Sequence, residues 1–504
     1  MVGKKNIFSC LILVSSLVFH VFSASGNKPE RKPNIIFFLV DDMGWMDCTV
    51  NGSQYYETPN IGRLAESGIT FSNAYVANPL CSPTRSSILT GKYPERFHLT
   101  MPAGHLPPNP DEPLMKDKAP EWNEVICPGS RTFMPLEEFT IAEALKNAGY
   151  TTAHIGKWHL GFEDYWPEKQ GFDVNIAGGA YPGPPSYFSP YQIVTLPDGP
   201  DKEYVTDRLT NEALQYIQKN KDTTFYLNMW HYAVHAPYQG QNNIIEKYSK
   251  KTDPRGKQDN AIMGAMIESM DKSLGRILDK LEELNLSDNT ILVFFSDNGG
   301  NMYDMINGTT ATNNFPLKMG KGNIHEGGVR VPCIISWSGK IAQNSKSDEL
   351  ICSVDFYPTF LEIAGLKKQK GQVLDGVSLS PLLLSGKKLK SREVYCHFPH
   401  YVQATGNYPS SSVRQGDWKF ISVYGEGTER TPKYELYNLK TDIGEEYNLA
   451  DKYPELVKKL NKLVKKHLNE TGGIIPVLNP VYNPGTQSPM GIKPIFPIEK
   501  YPSY

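Results

Sequence analysis

Cysteine is scarce in this 504-residue chain, with seven residues and therefore an odd number. That excludes a disulfide-framework protein and leaves at least one thiol without an internal partner. An excess of charge of one sign is also missing. Lys plus Arg total 52 against 54 for Asp plus Glu, a net charge of -2. No broad basic field exists to hold a nucleic acid backbone, so no nucleic acid partner is expected. Past the N-terminus no apolar run reaches the ~20 residues that a membrane span needs, which argues against stable membrane insertion. There are no internal repeats. Apolar residues make up 39% and charged residues 21%, which excludes a mostly disordered chain. The length is too great for one average domain and predicts two or three.

What is present begins with an address. Lys4 and Lys5 precede an apolar run from Ile7 to Phe22, and small residues follow at Ser23, Ala24 and Ser25. This is the order of a secretory signal, so residues 1–25 are expected to be removed on export to a periplasmic or extracellular space. Cys10 leaves with that segment. Cys81 belongs to a separate motif. The remaining cysteines, Cys48, Cys127, Cys333, Cys352 and Cys396, could form at most two disulfides.

The next segment, from Asn34 to Asp41, is a continuous apolar run ending in acids, as expected of a strand buried on both faces of a parallel sheet. Similar runs start at Thr151, Phe225, Ile291 and Val331. Helical spacing lies between them, from Thr140, from Thr206 and from about Asn260 to Leu284. Strands alternating with helices predict an α/β domain over residues 26–388, with a large, mainly parallel central sheet flanked by helices. Two polar segments, 93–138 and 162–200, are long enough to serve as walls or lids of a site. Beyond residue 388 the runs from Val413 and Tyr434 alternate as antiparallel strands do, and Leu456 opens an amphipathic helix whose basic face is expected to be solvated. These predict a smaller α+β subdomain over 389–470 with an antiparallel sheet. A Pro-rich strap, 471–504, follows.

Chemistry in such a sheet sits beyond the carboxyl ends of the strands. Asp41 and Asp42 end the first strand, and Asp297 and Asn298 end the run from Ile291. All four are oxygen donors, a set that favours Ca²⁺ or Mg²⁺ over Zn²⁺. The segment Cys81-Ser-Pro-Thr-Arg85 fits Cys-x-Pro-x-Arg and runs on into Ser-Ile-Leu-Thr-Gly. Further motifs keep an order along the chain: Val40-DDMG, Gly156-KWHLG, Val234-HAPY, Phe295-SDNGG and Gly320-KGNIHEGGVRVP.

Together these motifs resemble the type I, formylglycine-dependent sulfatases of the alkaline-phosphatase-like superfamily, over roughly residues 33–450. The resemblance implies that Cys81 is oxidised to Cα-formylglycine by a maturation enzyme that reads the pentapeptide. It assigns Arg85, Lys157, His159, His235 and Lys321 to catalysis beside residue 81. It gives Asp41, Asp42, Asp297, Asn298 and residue 81 to a metal, Ca²⁺ before Mg²⁺. A sulfate ester is anionic and gains charge on the leaving oxygen in the transition state, so cations aimed there are the main requirement. In the implied reaction one hydroxyl of the hydrated aldehyde attacks sulfur. Arg85 and the metal favour the attacking oxygen, and His235 and Lys321 assist the departing alcohol. His159 takes the proton of the remaining hydroxyl, so that sulfate leaves and the aldehyde returns.

For the substrate rim the sequence offers His325 inside the Lys321 motif, His397 and His400 in the run from Tyr395, and Arg414. Aromatic residues Tyr165, Trp166, Tyr181, Tyr187 and Phe188 in the second loop serve either loop packing or sugar stacking. A polar pocket of this kind suits a sulfated carbohydrate, and exo-acting removal of sulfate from galactose or N-acetylgalactosamine is the expected activity. The alternatives are a phosphatase or phosphodiesterase of the same superfamily and a secreted glycan-binding protein without catalysis. The phosphatase reading fits poorly, because those relatives use Ser or Thr as nucleophile and Asp/His pairs around two zinc ions.

Overall fold

The computed structural model describes Met1, Gly3 and residues 31–306 and 308–486. The expected export signal lies outside the described residues except for its residues 1 and 3, and the strap is described only as far as residue 486.

The first apolar run forms β1 (Asn34–Val40), and every residue in it is buried. Ile35, Phe37 and Leu39 enter one hydrophobic core, and Ile36, Phe38 and Val40 enter a second on the opposite face. Two apolar faces leave no place for a polar alternation, which is why the run is unbroken. Seven more strands complete this sheet: β2 (Gly68–Phe71), β3 (Thr151–Gly156), β4 (Val174–Ile176), β5 (Phe225–Trp230), β6 (Thr290–Ser296), β7 (Cys333–Ser336) and β8 (Ser345–Ser347). Their spatial order is β8-β2-β7-β6-β1-β5-β3-β4. β1 is parallel to both neighbours, with Phe38 level with Met229 on one side and Phe294 on the other. β7 runs antiparallel to both β6 and β2. The apolar pattern from Val331 thus marks a buried strand that runs against the parallel series. The chain leaves β6 at its carboxyl end and re-enters the sheet from that same end. A parallel return would need a crossover to the opposite end of the strands.

Helices cover both faces. α2 (Cys81–Thr90), α3 (Ile141–Asn147) and α6 (Phe356–Ile363) lie over the first core, and α1 (Pro59–Glu66), α4 (Val205–Lys219) and α5 (Ala261–Glu283) over the second. α3 starts at a reciprocal cap, in which Thr140 Oγ1 accepts from the Glu143 amide and Glu143 Oε2 accepts from the Thr140 amide. Asn260 caps α5 by accepting from the Met263 amide.

A separate antiparallel sheet follows: β9 (Glu393–Phe398), β10 (Ser410–Gln415), β11 (Trp418–Val423) and β12 (Lys433–Asn438). Val394, Cys396, Phe398 and Ile421 on one face join the first core. Val413, Phe420 and Leu436 on the other receive Leu460, Val464 and Leu468 of α7 (Pro454–Thr471). The amphipathic helix therefore spends its apolar face on this sheet, and its lysines face outward. Among the described residues no helix is long and apolar enough to cross a membrane. Val477–Leu478 of the strap pairs antiparallel with Val125–Ile126 of the long first loop. The described cysteines are all unpaired thiols, so neither of the two disulfides the count would permit forms among them. Burial pushes the Cys48, Cys127 and Cys352 thiols up to about 12.

Candidate active site

The strand ends of the parallel series deliver the site. Asp41 and Asp42 follow β1, Lys157 follows β3, Asp297 and Asn298 follow β6, and His235 sits in the turn after β5. α2 begins at Cys81 and sets Arg85 one turn further along. Lys321 comes from the segment between β6 and β7. Gly299 is needed beside it, because a Cβ there would lie 1.7 Å from the Gly327 carbonyl oxygen. Asp42 and His159 both adopt left-handed backbone, with φ of 63° and 58°, a conformation that non-glycine residues hold only when their surroundings fix it.

Three carboxylates and three cations interlock beside Cys81. Lys157 Nζ lies 2.5 Å from Asp41 Oδ2, and Lys321 Nζ lies 2.7 Å from Asp42 Oδ2. Arg85 Nε donates to Asp297 Oδ2 at 2.8 Å, and Arg85 Nη1 donates to the Lys157 carbonyl at 2.7 Å. The Arg85 guanidinium also lies over the Trp230 ring, 5.3 Å from its centroid. Asn298 Nδ2 donates to Asp42 Oδ1 at 2.8 Å. His235 Nε2 is 3.7 Å from Asp42 Oδ2. Cys81 is 2% exposed, and its Sγ is 3.4 Å from His159 Nδ1.

The charges perturb one another strongly. Burial and the neighbouring Asp41 carboxylate push Asp297 up to about 6. Burial, reinforced by Asp42, also raises Asp41 despite Lys157. Burial would raise Asp42 as well, but Lys321 and His235 hold its carboxyl well below the usual range. Burial and the nearby Lys321 ammonium bring His235 down to about 3. Burial and Lys157 hold His159 well below the usual imidazole value.

The donor set fits a hard cation. Asp41 Oδ1 and Asn298 Oδ1 are buried and have no hydrogen-bond partner, a costly arrangement for oxygens that nothing else occupies. Asp41, Asp42 and His235 each offer a ligand atom within 4.8 Å of the others.

The four rim candidates are dispersed. His325 engages both ring nitrogens, Nδ1 with Asn323 Oδ1 at 2.7 Å and Nε2 with Glu435 Oε2 at 3.2 Å. His397 is buried, with Nδ1 2.7 Å from Ser411 Oγ and Nε2 3.1 Å from the Ile474 carbonyl of the strap. Arg414 is buried over Tyr75, 3.9 Å from Glu326. These partners are internal and none is a residue around Cys81. For His397 and Arg414 these internal partners favour a structural role over contact with substrate. His400 differs. It bonds Thr100 Oγ1 at 2.7 Å and lines a cleft of about 1140 Å³ bounded by the loop 101–132. The aromatic residues of the second loop mostly pack. Tyr165 stacks on Phe133 at 4.3 Å, and Tyr181 accepts from the Val194 amide. Tyr187 donates to the Tyr232 carbonyl or the His235 carbonyl, each 2.8 Å away, and so braces the His235 turn.

One neighbour escapes sequence reasoning. His105 Nδ1 lies 3.0 Å from His159 Nε2, and the same His105 lines the cleft that reaches His400. It sits in a Pro-rich loop with no periodicity and no motif around it.

Comparison with known proteins bears on this arrangement. The sulfatase family model matches residues 33–366. The model of the N-sulphoglucosamine sulphohydrolase C-terminal region matches residues 319–471. N-acetylgalactosamine-6-sulfatase of Mus musculus is 31% identical over 91% of this chain and 89% of its own length. A sulfatase of Formosa agariphila is 30% identical over 93% of this chain and 95% of its own. Among solved structures, Ps i-CgsB aligns with a TM-score of 0.71 and 28% identity over 87% of this chain and 93% of that one. The phosphonate monoester hydrolase of Agrobacterium radiobacter, with a TM-score of 0.60 and 16% identity, shares the fold alone. With its alkaline-phosphatase-like fold, the chain belongs to the sulfatase family and is a sulfuric ester hydrolase.

Proposed function

We propose that the protein removes O-sulfate from a sulfated carbohydrate, acting on a terminal galactose or N-acetylgalactosamine sulfate, with a nucleophile made from Cys81. The observation that carries this reading is the ring of Arg85, Lys157 and Lys321 around Cys81, each pinned by its own carboxylate. Held cations need no reorganisation when negative charge develops, which is the arrangement transition-state stabilisation calls for. Formylglycine at position 81, once made by its maturation enzyme, supplies a hydrated aldehyde whose hydroxyl can attack sulfur. Asp41, Asp42, Asp297, Asn298 and residue 81 would hold Ca²⁺, with Mg²⁺ as the second choice, and the ion adds fixed positive charge. Three carboxylates against three cations make the described cluster neutral. A divalent cation gives it the sign that attracts a sulfate ester.

The chain's own residues then divide the work. Arg85 favours the attacking oxygen, and Lys157 adds positive charge beside residue 81. His159 turns Nδ1 toward residue 81 and removes a proton from the group there. Lys321 and His235, both against Asp42, stabilise the departing alcohol. Sugars beyond the sulfated one would lie in the cleft between the 101–132 loop and His400, whose volume of about 1140 Å³ exceeds that of one monosaccharide. The relatives support the substrate class. N-acetylgalactosamine-6-sulfatases are similar over most of the chain, and a second structure of Ps i-CgsB is a complex with k-i-k-neocarrahexaose. We read residues 1–25 as an export signal, and the proposed address is the periplasm or the outside of the cell.

Mass analysis of the peptide containing Cys81, together with sulfate release from a panel of sulfated mono- and disaccharides, tests the reading. Active, natively produced protein with an unmodified thiol at 81 would refute it. Cys81→Ser should fold normally and release no sulfate.

A further inference from the structure

His159 is held from every side. Its amide donates to the Gly179 carbonyl at 2.9 Å, and its carbonyl accepts from Ser82 Oγ at 2.7 Å. Its backbone is left-handed, with φ at 58°. The ring is fully buried, with Nδ1 3.4 Å from Cys81 Sγ and Nε2 3.0 Å from His105 Nδ1. A neutral imidazole carries one proton, and the nitrogen without it is the acceptor. For Nδ1 to take a proton from residue 81, the ring's own proton must sit on Nε2. A buried N–H there requires an acceptor, and His105 Nδ1 is the atom at hydrogen-bond distance.

We propose that His105 is a positioning residue: its Nδ1 accepts from His159 Nε2, fixing the His159 tautomer that leaves Nδ1 free toward residue 81. The inference rests on the role given to His159 above. The residue before it shows how the contact is built. Gly104 forms a parallel bridge with Leu160, and a Cβ on Gly104 would lie 2.0 Å from the His159 carbonyl oxygen. Only glycine lets the loop press this close, and the close approach carries the His105 ring to His159. The choice of acceptor also follows from the charges. A carboxylate would fix the same tautomer, as in acid–histidine pairs, but it would add a negative charge beside Lys157 and Arg85. A neutral imidazole accepts the hydrogen bond and leaves the balance of three carboxylates and three cations unchanged.

Two substitutions separate positioning from packing. Asn places its amide oxygen near the site of Nδ1 and can accept the same hydrogen bond, whereas Leu fills similar space and cannot. With His105→Leu and a sulfated monosaccharide, which has no further sugar to occupy the cleft, kcat should fall about 10- to 100-fold while KM changes by less than about threefold. His105→Asn should restore most of kcat. The second readout needs no turnover. Nitrogen-15 NMR of the histidine rings, in protein whose Cys81 is left unconverted, should show the Nε2–H tautomer of His159 in the wild type and in His105→Asn, and its loss in His105→Leu. A wild-type His159 protonated on Nδ1 would overturn the proposal. So would a fully active His105→Leu, or a His105→Asn as impaired as His105→Leu. If the sulfatase mechanism itself were wrong, the wild type would release no sulfate, and the tautomers would still decide the role of His105.

Discussion

Replacing Lys419 with methionine would separate the energetics of the small sheet from those of the site. Lys419 lies on β11 with only 2% of its surface exposed. Its Nζ sits 2.9 Å from Glu326 Oε1 and 2.9 Å from Glu445 Oε1. Glu326 also accepts from Tyr75 Oη at 2.6 Å and faces Arg330 Nη1 at 3.4 Å. Glu445 Oε2 accepts from the Glu326 amide at 2.7 Å. With an effective dielectric near 20, each lysine contact at this distance is worth about 6 kcal/mol of gross attraction. Most of that is offset by taking three ions out of water, at several kcal/mol each. Removing the ammonium alone leaves that desolvation cost in place and sets two buried carboxylates against each other. The expected loss is about 3–5 kcal/mol of unfolding free energy. Methionine keeps the length of the stem, so lost packing contributes little. Urea unfolding, followed by tryptophan fluorescence and far-UV circular dichroism, measures the change. A loss below about 1 kcal/mol would show that water reaches the network and that the reasoning is wrong. Adding Glu445→Gln to Lys419→Met should recover part of the loss, because Glu326 still faces Arg330 whereas the Glu445 carboxylate is the one left without its cation. Additive losses in that double variant would count equally against the argument.

Gly104→Ala drives a Cβ to 2.0 Å from the His159 carbonyl oxygen. The backbone must retreat by about 1 Å, which should lower kcat by about 100-fold; an activity within threefold of the wild type would contradict the role of this contact. Calcium at 100 times its dissociation constant should add about 2.7 kcal/mol of stability. Asp41→Asn should abolish most of that gain, and identical melting curves in calcium and in chelator would argue against the site. Burial holds His154, His231 and His400 at about 3 and His397 at about 4. These folded values lie below the unfolded value near 6.5, so the rings are neutral in the fold. Their contribution is complete above about pH 6.5 and is lost as pH falls toward the folded values, at about 2 kcal/mol each between pH 7 and 5. Urea midpoints across that range should drop steeply, and less steeply in His400→Gln; a flat profile would contradict the assignment.

The strand ends were legible because of what burial on two faces does to a sequence. A strand such as β1 has only apolar positions, so the first acids after it mark where it emerges, and Asp41 and Asp42 stand there. The same logic located Asp297 after β6. It could not give the direction of β7, because an apolar run reads the same in either direction. It also could not separate His400, at the cleft, from His397, which lies three residues earlier and is buried between Ser411 and the strap. Residue type is identical in the two cases, and only long-range packing distinguishes them. His105 was invisible for a related reason. Its partner is 54 residues away in sequence, and the approach depends on a glycine that resembles any other loop glycine.

Asp42 shows most directly how local conformation is overruled at the site. Successive side chains on a strand point to opposite faces, so two adjacent carboxylates at the end of β1 would ordinarily diverge. The left-handed turn at Asp42, with φ at 63°, alters that geometry. Asp41 meets Lys157 while Asp42 meets Lys321, Asn298 and His235. The turn is held by backbone bonds on its N-terminal side, where the Asp41 amide donates to the Ala233 carbonyl and the Val234 amide donates to the Asp41 carbonyl. Left-handed backbone costs about 1–2 kcal/mol for a residue with a Cβ. His159, whose ring meets Cys81, carries the same strain. Two strained residues, one bonded to Lys321 and Asn298 and the other against Cys81, mark the place where the fold gives up local stability to hold groups in position.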